Sequence, residues 1–124
     1  MVLAEKLVTA LQRGTANTRW RDFGDVYLLA TRYPLEAVEL RRALVDVADF
    51  RGRELEPMNT ALEGFAVLAQ ARWLAWRNRL QLQDRLPGQF EDVLAVVFQL
   101  ADPLMSVPSK AAGRWSPARR SWSE

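Results

Sequence analysis

Apolar residues recur along this chain at spacings of three and four, and no stretch alternates with the period of two that a half-buried strand requires. Leu3, Leu7, Ala10 and Leu11 form the first such stripe, which predicts a helix over Leu3–Arg13 with Gly14 as its left-handed C-cap. The polar run "GTANT" is turn chemistry, and Asn17 or Thr18 is placed to cap a second helix, Arg19–Arg32. Pro34 ends that helix, because the residue before a proline avoids the α region, and it suits the first turn of a third helix reaching Phe50. Leu40, Leu44 and Val47 supply the stripe of that third helix, Glu36 and Glu39 favour its positive end, and Gly52 stops it. Thr60 followed by Glu63 has the spacing of a capping box and opens a fourth helix, along which Leu62, Phe65, Ala69, Trp73, Trp76 and Leu80 recur. A fifth follows Pro87, carries Phe90, Val93, Leu94, Val97 and Phe98, and ends at "ADP", Ala101 to Pro103.

The pattern therefore predicts an all-α fold, a small bundle of about five helices over residues 1–104 with short connections. Prolines, serines and arginines without periodicity predict a disordered, flexible basic tail over residues 105–124.

Composition changes this picture mainly by exclusion. The 124 residues suffice for one domain with its own core. The chain has no cysteine and no histidine, which removes disulfides, thiolate metal sites, histidine ligands, histidine general bases and Ser-His-Asp triads. Any chemistry rests on carboxylates, lysine, arginine or hydroxyls. No apolar run approaches the length of a membrane span and "MVLAEKLV" is not a signal peptide, so a cytoplasmic protein with no membrane partner is expected. The net charge of +2 is unevenly spread: Lys110, Arg114, Arg119 and Arg120 against Glu124 give the tail +3, and the remainder is near −1.

Two constellations stand out. Asp22 and Asp25 are three residues apart, on one helix face. They read either as helix-start carboxylates that favour the dipole, or as an acidic site for a divalent cation or a basic group. Lys6 is one of only two lysines in a chain that otherwise uses arginine, and reads either as a solvated charge or as a point charge for a phosphate. The second constellation is Trp73 and Trp76 among Arg72, Arg77 and Arg79, which reads either as core with a wet face or as a stacking platform for a single strand. Arg114-Trp115 and Arg119-Arg120-Ser121-Trp122 could meet phosphate by charge. There is no GxxxxGK[ST], GxGxxG or HExxH.

"LAEKLVTALQRG" followed by "RWRDFGDVYLLA" resembles the AbiEii/AbiGii toxin family, nucleotidyltransferases of bacterial toxin–antitoxin and phage-defence systems. In that family an "AEK" helix leads through a short polar loop to an R-[KR]-D-x-x-D-[LIV]-[YF]-x-L helix. Here the matching residues are Ala4-Glu5-Lys6 and then Arg21-Asp22-Phe23-Gly24-Asp25-Val26-Tyr27-Leu28. The resemblance continues more loosely through "LRRALVDVADFRG" and covers roughly residues 3 to 53. It implies Mg²⁺-dependent nucleotide transfer from a nucleoside triphosphate to an RNA acceptor such as tRNA, and a cognate antitoxin as partner. Lys6 would contact phosphate, and Asp25, with Asp22 less certain, would position metal or act as base for the acceptor hydroxyl. The family's catalytic sheet, with its Gly-Ser and Asp-x-Asp, has no counterpart in this sequence. The expectation is therefore a truncated, C-terminal helical part that binds no cofactor and is inactive alone. The rival is a stand-alone helical interaction module for RNA or a protein partner.

Overall fold

The computed structural model describes residues 2–123. Its elements are α1 (Val2–Arg13), α2 (Trp20–Arg32), β1 (Leu35–Glu36), α3 (Ala37–Phe50), α4 (Met58–Ala61), α5 (Phe65–Arg79), α6 (Phe90–Met105), β2 (Arg114–Ser116) and β3 (Ser121–Trp122). The protein is mostly helical, as the spacing predicts, and the five long helices fall where the five stripes lie. The most apolar of them, α6, runs through the centre and packs on α2, α3, α4 and α5. Val93, Val96, Val97, Leu100, Ala101 and Leu104 are all buried along it. An aromatic cluster fills the space between α2, α5 and α6: Phe90 meets Phe23 and Phe65 edge-on, each at 5.4 Å, and stacks with Trp73 at 5.0 Å.

Three boundaries differ from the pattern. The capping box does not form. Thr60 lies inside the one-turn α4, whose first amides are taken by a distant carboxylate: Asp102 accepts from the Met58 N–H at 2.6 Å and from the Asn59 N–H at 3.4 Å. Gly64, at φ +79°, then breaks the chain, and α5 starts at Phe65. Helix α6 does not stop at Ala101–Pro103 but continues to Met105, because its terminal carbonyls find donors. The Lys110 N–H donates to the Pro103 carbonyl at 2.8 Å, and Arg41 Nη1 donates to the Leu104 carbonyl and, at 3.2 Å, to that of Ser106. The third helix starts at Ala37, because Leu35 and Glu36 are extended and paired to a strand.

That strand belongs to the segment expected to be a disordered tail, and the expectation is corrected. Residues 114–122 form a hairpin that adds β2 and β3 to β1 in an antiparallel sheet, with Leu35 opposite Trp115 and Trp115 opposite Trp122. Two indoles hold it down. Trp115 is buried and donates Nε1–H to the Ala30 carbonyl at 2.7 Å; Trp122 donates to the Leu100 carbonyl at 2.9 Å. Arg114 pairs with Glu36 across the strands at 2.9 Å. The buried aromatic surface outweighs a composition that favours disorder.

Candidate functional site

Lys6, Asp22 and Asp25 come together. Lys6 flanks the buried stripe of α1, so its stem lies on the protein and its ammonium points towards α2. The reversal between the two helices begins at Gly14, whose φ of +54° favours glycine, and continues as a 3₁₀ turn, Gly14–Ala16. Asn17 closes it. Its buried side chain accepts the Arg19 N–H through Oδ1 at 2.7 Å, an Asx turn that starts α2. Asp22 and Asp25 are one turn apart on α2 and both face Lys6. Nζ lies 3.0 Å from Asp22 Oδ1 and 3.0 Å from Asp25 Oδ2. Asp22 is the more enclosed, with 18% of its side chain exposed against 39% for Asp25.

Burial of Lys6 works to lower its pKa, but hydrogen bonds to Asp25 and Asp22, with their charges, outweigh it and hold the ammonium above its ordinary value. The group is therefore a fixed cation. Two of its three N–H groups are spent on carboxylates and one remains. The unit as a whole carries −1.

This geometry separates the two readings of the paired acids. Asp22 is in the first turn of α2, where it also favours the helix dipole; Asp25 is beyond it, so the dipole does not explain Asp25. The space between the carboxylates is taken by an ammonium. Among the described residues there is no group of three or more carboxylates that could hold a metal. With the ammonium seated between them, Asp22 and Asp25 present no free pair of carboxylates to a cation.

Beside Lys6 lies a concavity of ≈ 340 Å³, lined also by Asp25, Leu28, Leu29, Arg32 and Tyr33. Sequence reasoning assigns no role to Arg32 or Tyr33. The signal was present: Arg32 is seven positions after Asp25, two turns along the same face.

The second constellation does not form a stacking platform. Trp73 is buried, stacked on Phe90, and donates Nε1–H to the Pro87 carbonyl at 3.0 Å. Arg77 donates Nε–H to the Leu86 carbonyl at 2.8 Å. Both residues pin the loop between α5 and α6, and the half-buried Trp76 tilts against Trp73 at 5.4 Å.

Lys6 is thus clamped between two carboxylates at the rim of a concavity that residues of α1 and α2 line. Over residues 1–96 the chain matches the family model described as nucleotidyl transferase AbiEii toxin, type IV TA system, and it belongs to that family. Lys6, Asp22 and Asp25 all lie inside the match, whereas the end of α6 and the hairpin lie outside it. No curated protein and no solved structure matches the chain. Among the described residues no helix is long and apolar enough to cross a membrane.

Proposed function

We propose that Lys6, held by Asp22 and Asp25, is the phosphate contact in the helical half of an AbiEii nucleotide-transfer site. The observation that carries this reading is the pair of 3.0 Å contacts that fix a charged ammonium while leaving one N–H for a ligand. A nucleoside triphosphate at the adjoining concavity would meet Lys6 as a point charge and Arg32 as a fork, with Tyr33 and Leu28 beside its base. Asp25, the more open carboxylate, is the candidate to accept the proton of an acceptor hydroxyl; Asp22 orients the lysine. Mg²⁺ dependence is a property of the family. The acceptor in this reading is RNA, tRNA included, the partner a cognate antitoxin, and the compartment the cytoplasm. Family membership supports all three.

Calorimetric titration of ATP, CTP, GTP and UTP into the chain tests the lysine. Binding of at least one triphosphate that weakens roughly 10- to 100-fold in Lys6→Met is expected, the range for losing a charged hydrogen bond. Equal affinity of the two proteins would sink the assignment. With Mg²⁺, labelled triphosphates and tRNA, the chain alone should incorporate no label. Incorporation that Lys6→Met abolishes would instead place a complete site within this chain.

A further inference from the structure

The ordered C-terminal hairpin creates a second charged feature on the far side of α2. A concavity of ≈ 710 Å³ opens between the end of α6 and the hairpin, lined by Lys110, Arg119 and Arg120 together with Gln99 and Trp122. Among the described residues no carboxylate lines it and none of the three cations forms a salt bridge. All three side chains are exposed. Trp122 is half-buried, its indole N–H bonded inward to the Leu100 carbonyl and its ring edge-on to Trp115 at 5.6 Å.

Arg120 makes the arrangement look placed. Its φ of +54° is the left-handed region, where glycine or asparagine is the ordinary choice and an arginine is strained. Its guanidinium sits 5.9 Å from the centre of the Tyr27 ring, which fixes the charge over α2. A turn serving only to reverse the chain would gain from glycine here. Tyr27 and Asp25 are two positions apart, about 200° around the helix, so the cleft and the Lys6 cluster occupy opposite sides of α2.

We propose that Lys110, Arg119 and Arg120 form a preformed cleft that grips the sugar–phosphate backbone of RNA through three phosphate contacts. The inference deepens the reading of an RNA acceptor and rests on it for the identity of the polymer. The cleft itself is argued only from charge, geometry and strain. Cations with no acid among the described lining residues favour phosphate, and contacts to phosphate position a nucleic acid without reading its sequence. Binding is therefore indifferent to sequence and steeply dependent on salt.

The test is fluorescence anisotropy of a 5′-labelled 20-nucleotide single-stranded RNA with the full chain. Log affinity against log salt should fall with a slope of about −2, which is three contacts on a single strand. The triple variant Lys110→Gln, Arg119→Gln, Arg120→Gln should reduce affinity at low salt at least tenfold and flatten the slope towards zero, with an unchanged circular dichroism spectrum. Arg120→Gly should raise the thermal midpoint and weaken RNA binding together. Arg42→Gln, which removes an exposed cation outside the cleft, should bind RNA as the wild type does. If Lys6→Met loses RNA while the triple variant keeps it, RNA lies at the nucleotide site and the cleft is wrong, whereas the reading of Lys6 survives. Absence of RNA binding by the wild type overturns the cleft. So does capture by phosphatidylglycerol vesicles with no binding of RNA.

Discussion

The chain's two lysines sit in opposite electrostatic settings. Lys6 is locked by two aspartates at 3.0 Å, within the part of the chain that matches the family, on a pair of consecutive helices. Lys110 lies beyond that part, in a cleft with two arginines and, among the described residues, no acid. The first arrangement fixes one positive charge in space within a unit whose net charge is −1. The second leaves three charges uncancelled and sets up a local positive potential. A catalytic or phosphate-positioning group needs the former, because geometry within fractions of an ångström decides its value. A surface that gathers a polyanion needs the latter.

The most drastic way to break this comparison is Trp115→Ala. The indole is buried and its N–H bonded to Ala30, so the substitution should cost about 3–5 kcal/mol, as large aromatic truncations do. The hairpin should detach and RNA binding fall, while triphosphate binding at Lys6 persists as long as the helices remain folded. Denaturant unfolding and the two binding assays on the same preparation would check it. Loss of both activities in parallel would mean that the two settings are one unit.

A smaller effect is expected at Asp102, which joins α4 to α6 without touching either lysine. Burial pushes its carboxyl above the ordinary value, an effect partly offset by the Met58 and Asn59 N–H groups. The folded state thus holds this proton more tightly than the unfolded chain. The contribution of Asp102 to stability therefore falls as pH rises from 3.8 through the raised folded value, and stays at its lower level above it. Asp102→Asn should remove that slope from the pH profile of stability. Asp102→Ala at neutral pH should cost about 1–3 kcal/mol by leaving the Met58 amide without its acceptor.

The finest distinction is between the two aspartates. Asp22→Asn should cost up to about 1 kcal/mol, and Asp25→Asn, at the more exposed position, less than about 0.5 kcal/mol. Thermal unfolding of each variant at low and high salt checks the order. A larger loss for Asp25 would make it a structural residue and weaken its assignment as the acceptor's base.

Much of this was legible because helices announce themselves locally. The stripes at Leu3–Leu11 and Phe90–Phe98 need only their own spacing to be read, and "AEK" with "RDFGD" named the three residues that meet. What escaped depended on partners distant in sequence. Thr60 and Glu63 have capping-box spacing, but the amides of α4 are claimed by Asp102, more than forty positions away. Pro103 ordinarily ends a helix, yet Arg41 and the Lys110 amide satisfy the carbonyls beyond it. The hairpin was misread because serine, proline and arginine dominate its composition, while its order comes from two tryptophans whose acceptors, Ala30 and Leu100, belong to other elements.

The pairing of Leu35 with Trp115 bears on the order in which the chain acquires its parts. Lys6 and Asp22 are 16 positions apart, whereas Trp115 and Ala30 are separated by 85. Closing the longer loop carries a greater entropic cost, and its second half leaves the ribosome well after the residues of the clamp. The lysine clamp can form once the first two helices have emerged. The basic cleft cannot exist until synthesis reaches Trp122. A nascent chain would therefore spend much of its translation with the clamp assembled and the cleft not yet made.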